Sequence, residues 1–239
     1  MDEYQAMDRS ARLASAALPD AARSMPKKHV IVPRPEWLKI RTVTRSFAFE
    51  GMEFFDLRHP IYYKLDKLWL TPESARTLVP AKLAVGESTM VKGQVLRHLI
   101  HDCHLMLGCP PWREESVKSA KLQATITQKK GDSYRLKYTG EIHLDANFQY
   151  NRSSYQGELL GWAVWNAKSK RFTHLKWVAL GKRNRRELKP NETKSKVHIT
   201  SVGAVFELDP MRPNDKGLAP HRWKYGYSRE MKALVAPSD

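Results

Sequence analysis

The sequence predicts an α+β fold that is mainly β: a curved antiparallel sheet or barrel-like meander with one long and two short helices. Three observations predict it. Residues 133–148, SYRLKYTGEIHLDANF, alternate apolar and polar without a break, which is the period of a strand with one wet face. Further runs rich in β-branched and aromatic residues follow at 157–165, 171–181 and 197–209, separated by turn-forming stretches. Residues 88–107 instead carry apolar side chains at helical spacing, with Gly108 as terminator and Pro110-Pro111 beyond.

Along the chain, Tyr4, Met7, Ala11, Ala14 and Leu18 sit at helical spacing. A stretch with four prolines, PDAARSMPKKHVIVPRP, follows and reads as a strap. The expected organisation is an N-terminal helix and Pro-rich strap over 1–35, a single antiparallel β-barrel-like domain over 36–209, and a basic tail over 210–239. IRTVTRSFAFEGMEFFDLR and IYYKLDKLWL read as strands. TPESARTLVP reads as a short helix capped by Thr71, with Pro72 in its first turn. WREESVKSA offers one more turn. KLQATITQ leads through KKGD into the long alternating strand. On that strand Tyr134, Leu136, Tyr138, Ile142, Leu144 and Phe148 share one face, and Glu141, His143 and Asp145 share the other. GELLGWAVW and RFTHLKWVALG form a hairpin through NAKSK. Gly140, Gly161 and Gly203 interrupt strands, where glycine often marks a bulge or bend.

The chain has 239 residues and a formal net charge of +16. Residues 160–239 hold seventeen Lys/Arg against seven Asp/Glu, so a polyanion would be felt at that end. No apolar run approaches the ~20 residues of a membrane helix. The start shows no basic region followed by an apolar one, so the expected compartment is the cytoplasm. Two cysteines, Cys103 and Cys109, are no disulfide framework, and their spacing fits no zinc ribbon.

Three constellations could carry chemistry. On the helix at 88–107, His98, His101 and His104 form a polar stripe while Cys103 falls on the apolar side. His98 and His104 are ~9 Å apart in rise, so a divalent metal would take the pair His98 and His101 plus a ligand from elsewhere. Glu141, His143 and Asp145 would be an acid/base row if that strand face lined a cavity, and a solvated row otherwise. GKRNRRELKPNETKSK, residues 181–196, reads as a long basic loop. Lys182, Arg183, Arg185 and Arg186 there, with Trp223 in the tail, mix cations and an aromatic in the way that suits nucleic acid or acidic glycan. The apolar strand face, with Tyr134, Tyr138, Phe148, Trp162 and Trp177, would either enclose an apolar ligand or fill as a core. No serine elbow, phosphate-cradling glycine loop or HExxH is present.

PPWREESVKSAKLQATI, YTGEIHLD, GELLGWAVWNAKSKRFTHLKWVALG and VGAVFELDP resemble an uncharacterised β-rich domain family of planctomycete bacteria, over residues 95–210. The resemblance implies a β-rich domain of bacterial origin and transfers no functional residue. The expected function is a non-enzymatic binding protein whose ligand is an apolar small molecule or an anionic polymer at 181–196. The alternatives are a metal-dependent enzyme using His98 and His101, and a single-stranded nucleic-acid-binding protein.

Overall fold

The computed structural model describes residues 34–47, 63–101, 114–148, 151–187 and 196–209, and in it the alternating segments are strands. The chain runs β1 (Leu38–Phe47), β2 (Tyr63–Leu70), helix α1 (Pro72–Arg76), β3 (Ser88–Met90), helix α2 (Gly93–His101), a 3-10 turn (Glu114–Ser116), then β4 (Val117–Lys130), β5 (Ser133–Phe148), β6 (Asn151–Asn166), β7 (Arg171–Glu187) and β8 (Lys196–Leu208). All eight strands belong to one antiparallel sheet in the order β2-β1-β8-β7-β6-β5-β4-β3. β4 to β8 form a meander of long strands, which sequential antiparallel neighbours joined by tight turns produce.

Period two governs the long strands, with a one-residue slip in β7 at 173–174, whereas β2 is buried at every position from Asp66 to Leu70. On β5, Tyr134, Leu136, Tyr138, Leu144 and Ala146 are buried, whereas Arg135, Lys137, Thr139, Glu141 and His143 are exposed. The inner face carries the core. Tyr138, Trp177 and Phe206 stack across it, with ring centroids 4.8 and 6.2 Å apart. The Tyr138 hydroxyl donates to the Leu78 carbonyl at 2.8 Å and ties the sheet to the segment after α1. Val95, Leu99 and Ile100 of α2 are buried as well. A crevice of about 50 Å³ beneath α2, lined by Leu96, Leu99, Leu122 and Phe206 among others, is the room left there. That is far below the few hundred Å³ of a small-molecule pocket, so these aromatics fill the interior.

Three expectations are corrected. The sheet is not closed into a barrel: β2 and β3 are its two edges and do not pair. β3 has only three residues, too few bonds to seal against β2, and α1 and α2 pack beside β2 instead. The long helix does not begin at Ser88. Residues 88–90 complete the edge of β4, with the Ile126 amide donating to the Glu87 carbonyl at 2.9 Å and the Val91 amide to the Leu122 carbonyl at 2.8 Å. Gly93, at φ 65°, then turns the chain into α2. WREESVKSA yields one 3-10 turn, with Val117 already in strand. The set of one long and two short helices is therefore not what the described residues contain. The short helix after Thr71 does form, and Thr71 caps it by accepting from the Ser74 amide at 3.2 Å. The N-terminal helix, the strap up to residue 33 and the C-terminal tail lie outside the described residues.

Gly161, Gly157 and Gly181 make room for aromatic rings, whereas a Cβ on Gly140 would meet the Lys121 carbonyl and Leu122 of the neighbouring strand. Register shifts fall at 117/119, 126/128 and 164/165, while Gly140 and Gly161 sit in regular register. A Cβ on Gly161 would collide with Cδ1 of Trp177, so the indole lies directly over the Gly161 backbone. Gly157 and Gly181 oppose one another and make the same room for the ring of Tyr155.

Candidate functional site

Gly161 on the inner face forces its neighbour outward. Trp162, expected among the interior aromatics, stands on the outer face at 40% exposure. The register sets it directly between Lys137 of β5 and Lys176 of β7, both exposed. With strands ~4.8 Å apart, the Lys137–Trp162–Lys176 row is a cationic–aromatic–cationic line on the order of 10 Å across. Arg135, Val164 and His174 form the next row toward the hairpin tips. On the other side the row Leu160, Val178, Val205, Val43 and Leu65 crosses five strands, with Leu160 and Val178 exposed. Beyond Lys176 the row continues to Glu207 of β8, so the platform is an exposed indole between two lysines, bordered by an apolar ledge on one side and with one carboxylate past Lys176.

The charge is concentrated. Residues 127–139 and 160–178 together hold eight Lys/Arg and one carboxylate, Asp132. Their two hairpin tips are joined by the Ala167 amide donating to the Asp132 carbonyl at 2.8 Å. Lys129 lies 5.5 Å from the Tyr134 ring centroid. No ion pair with a described residue occupies Arg135, Lys137 or Lys176.

The residues expected to meet polyanion are placed differently. Residues 182–187 are strand, not loop, because β7 runs on to Glu187 in register with both β6 and β8; residues 188–195 lie outside the described residues. Alternation separates the pair at its start: Lys182 is exposed on the outer face, and Arg183 is buried on the inner one. Arg185 is opposite Ser153 and His198, and Arg186 is opposite Arg152 and Val197. Lys182 is six residues from Lys176, roughly 20 Å along the strand. Trp223 lies outside the described residues.

Glu141, His143 and Asp145 lie on the outer face as the alternation requires. Glu141 receives Lys121 at 2.9 Å. Arg152 clamps Asp145 through two bonds of 3.2 and 2.8 Å, and this guanidinium holds the Asp145 carboxyl below its usual range. Glu141 and His143 border a groove of about 510 Å³ with Gln156, Glu158 and Lys182. Two of the three residues in this row are exposed and its two carboxylates are ion-paired, whereas acid–base catalysis calls for burial.

His98 and His101 belong to α2, but their side chains, and His104, Cys103 and Cys109 altogether, lie outside the described residues. Among the described residues no three His, Cys, Asp or Glu side chains are grouped to hold a metal ion. No helix among them is long and apolar enough to cross a membrane. No family model, curated protein or solved structure matches the chain, so the site's chemistry is read from its geometry.

Proposed function

We propose that the chain is a non-enzymatic binding protein whose outer sheet face takes single-stranded nucleic acid. The observation that carries the reading is the Lys137–Trp162–Lys176 row: an exposed indole on the outer sheet face, with an ammonium on each neighbouring strand. Any base has a π-face that stacks on such a ring, and the backbone phosphates of the same strand meet the flanking cations. Arg135 and the hairpin-tip lysines extend the positive path; Leu160 and Val178 give the sugar and base edges an apolar ledge. A duplex keeps its bases stacked internally and offers the indole nothing. This reading places the site on the sheet face, because Lys182 and Arg183 fall on opposite faces of β7. As to origin, we retain the resemblance to the planctomycete family as a proposal that adds no activity.

The test is fluorescence anisotropy with a labelled oligothymidylate. Base–aromatic stacking contributes about 1–3 kcal/mol per base, so Trp162→Ala should weaken binding by about five- to a hundredfold. As an exposed substitution it should shift the unfolding free energy by no more than about 0.5 kcal/mol. Unchanged oligonucleotide affinity in Trp162→Ala and in Lys137→Glu/Lys176→Glu would overturn the reading. Heparin retention without oligonucleotide affinity would replace it with an acidic glycan.

A further inference from the structure

A second feature lies at the hairpin-tip end of the sheet. A pocket of about 200 Å³ opens between residues 35–39, α1 and the start of β7. Three buried aromatics line it, Trp37, Trp165 and Phe172. Trp165 and Phe172 meet edge to face, with centroids 5.0 Å apart. Lys39, Lys170 and Arg171 also line it, against Glu36 and Asp209. Asp209 is engaged by Lys67 at 3.1 Å, which leaves three cations facing one exposed carboxylate. No ion pair with a described residue holds Lys39, Lys170 or Arg171. Lys39 is held below its ordinary pKa by burial; Asp209 and Glu36 favour its charge and Arg171 opposes it.

The backbone gives an independent sign. Lys170 has φ 52°, the one described non-glycine residue in the left-handed region. The turn that puts it there is built locally: the Asn166 carboxamide oxygen accepts from the Ser169 amide at 2.8 Å and from its hydroxyl at 3.0 Å. Glycine is the unstrained residue at such a position. A lysine held there, at the mouth of a pocket short of negative charge, points to use of its ammonium.

We propose that this pocket is a nucleotide subsite: a nucleobase enters among Trp37, Trp165 and Phe172, and its phosphate is held by Lys39, Lys170 and Arg171. The ligand class combines what the two halves of the pocket recognise, a planar ring by aromatic walls and a phosphate by a cluster of cations. The inference deepens the strand-binding reading, from which it takes the polymer class.

The test uses the whole chain and adenosine monophosphate, adenosine and inorganic phosphate as probes, read by tryptophan quenching and titration calorimetry. Adenosine monophosphate should bind more tightly than adenosine or phosphate. Lys170→Gly should weaken it about tenfold, the loss of one charged hydrogen bond, without lowering the urea midpoint, because the turn is relieved of strain. The proposal is overturned if the mononucleotide does not bind at millimolar concentration, or if Lys170→Gly and Arg171→Ala both bind it as the parent does. Mononucleotide binding without oligonucleotide binding would sustain the pocket and remove the sheet-face reading. The reverse result would do the opposite.

Discussion

At the residue scale, glycine and tryptophan decide where function can sit. Gly161 and Trp162 are adjacent, and strand parity sends one in and the other out. Because the Trp177 indole occupies the space above Gly161, Gly161→Ala should cost about 1–3 kcal/mol, the range for overpacking a filled core. Urea denaturation would measure it, and an unchanged midpoint would show the Trp177 placement to be wrong. The sequence exposed the alternation of β5 but not this consequence for β6. GELLGWAVW contains four apolar residues in immediate succession at 162–165, so parity could not be assigned without knowing that Tyr138 pairs with Gly161. The buried tyrosines make a second prediction. Burial raises the pKa of both Tyr138 and Tyr155 well above 10.0. An unfolded tyrosine releases its proton near pH 10, while the folded one keeps it. Stability is therefore whole below about pH 10 and falls as pH rises further, by about 1.4 kcal/mol per pH unit for each tyrosine. Tyr138→Phe should remove one such contribution from the alkaline slope, and an equal slope in parent and variant would contradict the burial.

At the element scale, β2 is an edge strand that pairs on one side only, and so needs an anchor. Lys67 supplies it. Its ammonium reaches Asp209, just past β8, at 3.1 Å with both side chains buried, while the Asp209 amide donates to the Lys39 carbonyl at 2.9 Å. The pair thus joins β2 to the end of β8 across β1. Lys67→Ala should destabilise the chain by about 3–5 kcal/mol, because it strips a buried carboxylate of that partner. Asp209→Asn in addition should restore part of the loss in a double-mutant cycle; a cost below about 1 kcal/mol for Lys67→Ala would mean the pair is not closed to water. Elements of this kind were unevenly legible. β5 and the hairpin β6–β7 follow from local alternation and turn residues. β3 does not: STM is three residues that become strand only because β4 offers an open edge, and that edge is contributed by residues 123–125, more than thirty positions away. The same non-local pairing extended β7 to Glu187, turning residues expected in a basic loop into alternating strand positions.

At the scale of the whole molecule, a surplus of positive charge and an open sheet combine into a measurable signature. The formal charge of +16 was legible from composition, but its distribution over the folded surface was not. The sequence drew attention to the C-terminal third, whereas folding gathers cations from residues 127–139 and 160–178 onto two adjoining hairpins with a single carboxylate between them. A barrel would have curved this face around itself. An open sheet of eight strands leaves it accessible beside the exposed Trp162. On the proposed reading, binding of a single strand should follow counterion release, with log affinity falling against log salt by about 0.7 for each phosphate neutralised. If Lys137, Lys176 and Arg135 with one or two tip lysines are engaged, the slope should be roughly −3 to −3.5. Lys137→Ala with Lys176→Ala should bring it about 1.4 closer to zero, whereas Trp162→Ala should lower affinity at every salt concentration and leave the slope alone, since an indole releases no ions. Anisotropy titrations from low to moderate salt separate the two effects. A slope unaltered by removal of both lysines would place the polymer elsewhere on this basic surface, and a slope altered by Trp162→Ala would mean that the ring positions the cations instead of stacking a base.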